Sequence, residues 1–457
     1  MSTLQPRSDA TPASELRVAI GLPSAVILVM GGVIGVGIFV NPAIVERLTR
    51  SPVVGLAAWS AGGLISLLGA CVYAELATRL PATGGEYQYL RAAYGSLPAF
   101  LFGWTTLLVV HTGGSAAVAI VLAKNVRLLT GIPEPWTVIA TLAGLAGVNC
   151  AGVKSGNHTQ ALLGFLKVGL ILAVIAAGFS LAPPPLTAPA PATSGPIAGF
   201  GAALIPVMFT YGGWQTANFV AGEMKNPRRN LAVALVAGVL AVTLVYLLID
   251  IACLRALGPN ALGATLTPAA DVVGRLSGPL GAKLTAAAVA ISALAFLSQG
   301  ILTGPRVIYA MAKDGYFFRF VGKVSEDRCA PAAAIVMMAT WTGALALTGA
   351  YERILSYVVS MNFLFFGLSA STLFVLRARS LGEGGFRAPF HPWSTAAFIL
   401  ACAAIVASAF WSFPLDSLIG YAIMAAGLPA YFWWRRRREG AGGNGSREAL
   451  GDAGLPH

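Results

Sequence analysis

Two glycine-rich stretches and one lysine are the residues of this chain whose types and positions can do chemistry. Gly31-Gly32-Val33-Ile34-Gly35-Val36-Gly37 lies in an apolar run over 21–46, and Phe209-Thr210-Tyr211-Gly212-Gly213-Trp214 lies in another over 197–222. Each glycine costs a helix about 1 kcal/mol relative to alanine. In hydrocarbon a broken helix also leaves N–H and C=O groups with no water to bind. Glycines held at that depth either let two helices pack closely or free backbone groups for a ligand. In the first run the outer half-helix is expected to begin near Gly35-Val36-Gly37. Its N–H groups carry the positive end of a dipole of about half a charge and suit a carboxylate. The second run crosses the other way, so its outer half ends near Phe209-Thr210 and its carbonyls suit an ammonium. Together the breaks fit a zwitterion such as an α-amino acid. The chemistry is binding: no His/Asp/Glu cluster and no nucleophile pair marks a catalytic residue, and an enzyme is not expected.

The lysine is Lys167, within Gly164-Phe165-Leu166-Lys167-Val168-Gly169. Near mid-bilayer it costs about 2.5–3.5 kcal/mol. It faces a polar cavity or is neutral, unless it snorkels to the nearer interface.

These residues need helices across a membrane to hold them, and the composition supplies them. Of 457 residues, 56% are hydrophobic and 11% charged, with mean hydropathy +0.75. Soluble domains carry about 25% charged residues. About twelve apolar runs have bilayer length, roughly 20 residues each. The fold class expected is an all-α polytopic membrane protein. Its first five runs and the next five form an inverted repeat, because five is odd, with the first helix of each half broken. The expected division is an N-terminal tail (1–20), a first repeat (21–181), a proline-rich external linker (182–196), a second repeat (197–380), two last helices (381–434) and a basic, disordered tail (435–457). The net charge of +12 suggests nucleic acid only until its placement is read. One alternate set of connections carries more than twice the Lys and Arg of the other, ending in Arg435-Arg436-Arg437-Arg438 after Phe432-Trp433-Trp434. That is an aromatic belt with a positive inner flank, and it places both termini in the cytoplasm. No nucleic-acid partner is expected. The first 17 residues are polar without a cleavage pattern, so the first span is expected to stay in the protein. Five scattered cysteines and four dispersed histidines show no metal or disulfide spacing. No metal or cofactor is expected.

At these residues the chain resembles a known family. Gly32-Val33-Ile34-Gly35-Val36-Gly37-Ile38-Phe39-Val40, Tyr73-Ala74-Glu75-Leu76 with Gly84-Gly85-Glu86-Tyr87, and Tyr211-Gly212-Gly213-Trp214 with Asn218-Phe219-Val220 and Glu223-Met224-Lys225-Asn226-Pro227 are similar to L-type amino acid transporters of the amino acid–polyamine–organocation superfamily. The resemblance covers about residues 17–434. It implies a prokaryotic carrier in the inner (cytoplasmic) membrane that moves L-amino acids by alternating access, commonly by exchange. It further implies that backbone from Ile34 through Gly35 and Val36 to Gly37 holds the carboxylate. Phe209 is an aromatic lid, and backbone from Phe209 through Thr210 and Tyr211 to Gly212, beside Gly213, holds the amine. Asn362 matches a cavity-lining position, with a helix–helix hydrogen bond as the other reading. Lys167 matches a lysine that approaches the broken first helix and takes the place of a bound sodium ion, so carbonyls freed near Gly31-Gly32 are its expected partners and its charge state is a candidate for coupling transport to protons. Two positions depart from the pattern: Val36 stands where a serine is usual, and Gln215 where relatives often have asparagine. Eukaryotic members join a heavy chain through a cysteine between the third and fourth spans. Lys124 to Pro135 has none, so no disulfide-linked heavy chain is expected; the carrier is expected as a monomer or weak dimer in the lipid bilayer.

The remaining polar residues refine the substrate. The first, third, sixth, eighth and tenth spans show no Asp or Glu at mid-depth between the breaks, which favours neutral amino acids. Proton-coupled symport and antiport of cationic amino acids or polyamines are the alternatives. Glu75 and Glu223, with Arg79 and Arg228 close in sequence, read as inner-gate ion pairs. Trp214 reads as a packing residue, and Asp250 as interfacial. His111 beside Thr112-Gly113-Gly114 can titrate near neutral pH or be simply hydrogen-bonded. A channel needs a continuous polar pore and a sensor an output domain; neither pattern is present in this sequence.

Overall fold

Glycine and proline decide where the helices of this chain stop. A computed structural model describes residues 18–184, 196–278, 280–324, 330–348, 351–382, 385–412 and 414–438. Most of both tails and of the proline-rich linker lie outside the described residues. The first span is α1 (Leu22–Val33), a single 3-10 turn at Gly37–Phe39, then α2 (Asn41–Thr49). The next elements are α3 (Pro52–Arg79), α4 (Glu86–Tyr94), α5 (Ser96–Thr105), α6 (His111–Thr130), α7 (Glu134–Cys150) and α8 (Val153–Ser180). The sixth span is α9 (Pro196–Thr210) followed by a 3-10 segment, Trp214–Glu223. Then come α10 (Pro227–Leu257), α11 (Pro259–Ala264), α12 (Pro268–Ser277), α13 (Leu280–Thr303), α14 (Pro305–Lys313), α15 (Ala332–Leu347), α16 (Tyr351–Ala378), α17 (Trp393–Ser412) and α18 (Pro414–Ala425), with a last helix, α19, over 427–438.

Among the described residues, seven helices are long and apolar enough to cross a membrane. The first and sixth spans fall short of that length because each is cut in two. Proline sets several starts: Pro52 opens α3, whose N-cap Ser51 accepts from the Val54 N–H at 3.4 Å, and Pro227 opens α10. This is the position where a missing N–H costs nothing. Residues 19 and 20, expected in the tail, are instead strapped down. The N–H groups of Ala19 and Ile20 donate to the Glu223 carbonyl at 2.9 and 3.0 Å, and Lys225 donates back to Ile20 at 2.8 Å. Arg435 to Arg438, also expected to be disordered, continue α19 as helix; four arginines in succession are good helix formers.

Arg79, Arg306, Arg377 and Arg435–Arg438 lie at one end of the bundle, called here the basic face. The short helix α4 packs there, outside the apolar spans. Its Glu86 is buried and accepts from the Tyr73 hydroxyl at 2.8 Å. Burial pushes the Glu86 carboxyl up to about 8, against the lowering effect of bonds with Tyr73 and Ser369. A carboxyl raised in the native state holds its proton longer than in the unfolded chain. Its contribution is therefore present below about 4.5 and lost as pH rises through about 8. Glu86→Gln should melt at a higher temperature than the parent above about pH 8 and near it at about pH 5, as read by thermal unfolding in detergent. Equal shifts at both pH values would show that Glu86 is not the titrating group.

Candidate functional site

The first break forms because Gly31 to Gly37 gives α1 little to bury and much to unwind. The Ile34 N–H makes the last α1 bond, to Met30 at 2.8 Å. No backbone carbonyl among the described residues accepts from the N–H of Gly35, Val36 or Gly37. At the second break, Gly213 takes φ of 109°, a region that favours glycine. A Cβ on Gly213 would lie 2.1 Å from the Gly32 carbonyl oxygen, and one on Gly32 would lie 2.6 Å from the Gly213 oxygen. The two breaks therefore touch backbone to backbone, at glycines on both sides.

Around this contact is a cavity of about 120 Å³. Gly35, Val36, Gly37, Phe209, Thr210, Gly212, Gly213 and Asn362 line it. Two residues expected with them do not. Ile34 is fully buried with its carbonyl turned outward from the cavity to Lys167, and the Tyr211 side chain packs at ring distances of 6.0 and 5.0 Å on Trp59 and Tyr246. The expected free carbonyls at the end of α9 are also partly engaged. Phe209 accepts from the Gly212 N–H at 3.2 Å and Thr210 from the Tyr246 hydroxyl at 3.2 Å. A carbonyl oxygen has two lone pairs, so each keeps one acceptor site.

Lys167 stands behind the first break, fully buried. Its Nζ donates to the carbonyl oxygens of Gly31, at 3.0 Å, and Ile34. These are the carbonyls released when α1 unwinds. Tyr246 on α10 does a related job between the breaks: its hydroxyl lies 3.0 Å from the Val33 oxygen and 3.2 Å from that of Thr210. Asn41 at the start of α2 donates to the Pro206 carbonyl at 3.1 Å and to the Thr210 hydroxyl. Pro206 sits inside α9.

The sequence reading passed over Tyr246, Asn41 and the α13 side chains. Gln299 donates to the Thr216 hydroxyl at 2.5 Å, and Ser292 to the Gly35 carbonyl at 3.4 Å. Polar residues inside apolar runs were the signal for them. Gln215, one of the two departures from the family pattern, lines the cavity and accepts from the Gly213 N–H at 3.1 Å. Val36, the other, lines it with an apolar side chain. Trp214 packs on Tyr73 and Phe366, at 4.9 and 5.6 Å between ring centroids. His111 begins α6 just after a π-helical turn over Thr106–Val110, a feature common at functional sites. Its Nε2 is 2.8 Å from the Gly300 carbonyl. Because a carbonyl only accepts, Nε2 carries the hydrogen, and in the neutral ring Nδ1 is an acceptor.

The basic face is closed by ion pairs. Glu223 pairs with Arg306 on α14 rather than with its neighbour Arg228, in a bidentate contact of 2.7 and 3.1 Å that is almost wholly buried. Chain reversal brings α14 across the end of the sixth span, which no local spacing reveals. Glu75 joins Arg79 at 2.9 Å, Arg377 at 2.6 Å and the Ala388 N–H at 2.7 Å. Removing one partner of a buried pair costs about 3–5 kcal/mol, while an apolar replacement of both is often neutral. Arg306→Met should therefore lower the melting temperature sharply, and Arg306→Met with Glu223→Leu should recover most of the loss. Failure of the double variant to recover would show that the pair does not act as a unit.

Comparison with known proteins agrees with this architecture. A family model described as "Amino acid permease" matches residues 20–429. The chain is 28% identical to the serine/threonine exchanger SteT of Bacillus subtilis (strain 168), over 94% of this chain and 99% of that protein. It is 29% identical to the b(0,+)-type amino acid transporter 1 of Oryctolagus cuniculus, over 81% and 78%. It is 28% identical to the large neutral amino acids transporter small subunit 2 of Mus musculus, over 94% and 86%. With two broken spans meeting at a small cavity and a family match over most of its length, the chain belongs to the amino acid permease family.

Proposed function

We propose that this protein carries neutral L-amino acids across the cytoplasmic membrane by alternating access, as an exchanger, with both termini in the cytoplasm. Membership of the amino acid permease family supports amino acid transport. The observation that carries the neutral substrate is the cavity lining. Its residues include no Asp, Glu, Lys or Arg, and the polar side chains are His111, Ser115, Thr210, Gln215, Thr216, Gln299 and Asn362. A cationic side chain buried there has no counter-charge and pays for its lost hydration. In this reading the N–H groups of Gly35 to Gly37 hold the carboxylate, and the second lone pairs of the Phe209 and Thr210 carbonyls hold the amine. Exchange is supported by likeness to the serine/threonine exchanger. The unequal spread of Lys and Arg supports the orientation, and the absence of cysteine between Lys124 and Pro135 supports a carrier without a disulfide-linked partner.

The test is uptake of labelled alanine, serine and leucine into liposomes holding the purified protein. Vesicles are loaded with unlabelled amino acid, or left empty with and without an inward proton gradient. Uptake only into loaded vesicles is the expected result. Uptake into empty vesicles that follows the gradient would replace exchange by proton symport. Competition by arginine but by no neutral amino acid would overturn the substrate class.

A further inference from the structure

The loop after α14 and the end of α19 form a cleft that the transport reading does not use. Its volume is about 440 Å³, and Arg319, Arg437 and Arg438 line it together with Phe317, Phe318 and Trp434. The rings fix its walls. Trp434 meets Phe318 edge-on at 4.9 Å and Phe317 at 5.9 Å. Tyr316 stacks on Tyr431 at 5.4 Å and 14°. Two of the guanidiniums lie over neighbouring rings. That of Arg437 lies 3.9 Å over Trp433, and that of Arg438 lies 5.2 Å over Tyr316, with Nη1 donating to the Tyr316 hydroxyl at 3.0 Å. That contact takes one of the five donors a guanidinium carries.

Among the described residues, no carboxylate lines the cleft. Asp314, next to it in sequence, pairs with Arg91 at 2.5 Å. Three arginines share the lining of one cleft, and planar forks of N–H donors match phosphate oxygens in pairs. Beside it lie exposed rings: Phe318 and its neighbour Phe320, 45% and 56% exposed, and Trp433 against Trp434, 44% exposed. Such rings settle at the headgroup level of a bilayer. A free phosphate uses the arginines and leaves these rings in water, whereas a phospholipid uses both.

We propose that the cleft is a binding site for an anionic phospholipid, with its phosphate on Arg319, Arg437 and Arg438 and its chains along Phe318, Phe320 and Trp433. The site ties α19 to the loop following α14, the helix that carries Arg306 of the buried pair on the basic face. Occupancy therefore braces the closed basic face, and it does not depend on which amino acid is carried.

The experiment uses the full chain in detergent with phosphatidylglycerol or phosphatidylcholine added, read by retained lipid in native mass spectrometry and by melting temperature. The parent should retain phosphatidylglycerol and melt higher with it than with phosphatidylcholine. A variant with Arg319→Gln, Arg437→Gln and Arg438→Gln should bind it at least about tenfold more weakly. A control with Arg228→Gln, Arg229→Gln and Arg436→Gln removes the same charge from exposed positions of the same face and should bind as the parent does. Equal losses in both variants would reduce the effect to diffuse charge and overturn the site. Equal protection by inorganic phosphate alone would make it a free-anion site and overturn the lipid. If the triple variant does not fold, Arg319→Gln alone, at an exposed loop position, must still weaken binding, and parent-like binding by it would overturn the assignment.

Discussion

Lys167→Ala should abolish uptake while leaving normal amounts of protein in the membrane. The fully buried ammonium bonds the carbonyls of Gly31 and Ile34. Those oxygens lost their helical partners when α1 ended at Val33. A hydrogen bond to a charged group contributes about 1.5–3 kcal/mol, which corresponds to about ten- to hundredfold in an equilibrium. Without it the unwound stretch is free to rewind or to shift, and the N–H groups of Gly35 to Gly37 lose their aim. Lys167→Met keeps most of the volume and removes only the charge, so it separates packing from bonding. Both variants should reduce exchange at least about tenfold, measured in proteoliposomes matched for protein content. Parent-like exchange by Lys167→Met would show that the charge has no part in transport.

The second large effect is expected at Gly213. A Cβ there meets the Gly32 oxygen at 2.1 Å, in a contact between two backbones that no side-chain rotation relieves. The residue also sits at φ of 109°, which costs any other residue about 1–2 kcal/mol. Gly213→Ala should therefore force the two breaks apart, giving protein that aggregates on extraction or migrates as a broad species in size-exclusion chromatography, with no exchange. Gly35→Ala is the comparison. Its Cβ would be 3.7 Å from the Phe296 ring, an ordinary contact, so it should fold normally and raise the KM for substrate, because Gly35 lines the cavity. If both variants fold and transport alike, the backbone contact between the breaks is not what assembles the site.

Composition and period made the membrane class and most helices readable, since runs of bilayer length have few other fates. The two breaks were readable because Gly-Gly in an apolar run has a physical cost that needs a reason. Contacts across the bundle were less accessible. Glu223 has Arg228 five residues away, yet its partner Arg306 comes from α14. Tyr211 was expected to contribute backbone, and nothing in the sequence showed that its ring would pack into the Trp59–Tyr246 cluster. Residues 19 and 20 and the four arginines of α19 looked like tails, because a flank and a tail have the same composition until a neighbouring element covers one of them.

The bonds at the two breaks have a mechanical consequence. Asn41 clasps α2 to α9 through Pro206 and Thr210. At the opposite end, Ile20 is sewn to Glu223 and Lys225 by main-chain bonds. The two half-spans away from the basic face are thus yoked to each other, and so are the two toward it. The molecule has two levers rather than four, pivoting about the glycines where Gly32 and Gly213 meet. A load applied to either arm of a yoked pair moves both, and a side chain trapped between the arms meets one jaw, not two independent flaps.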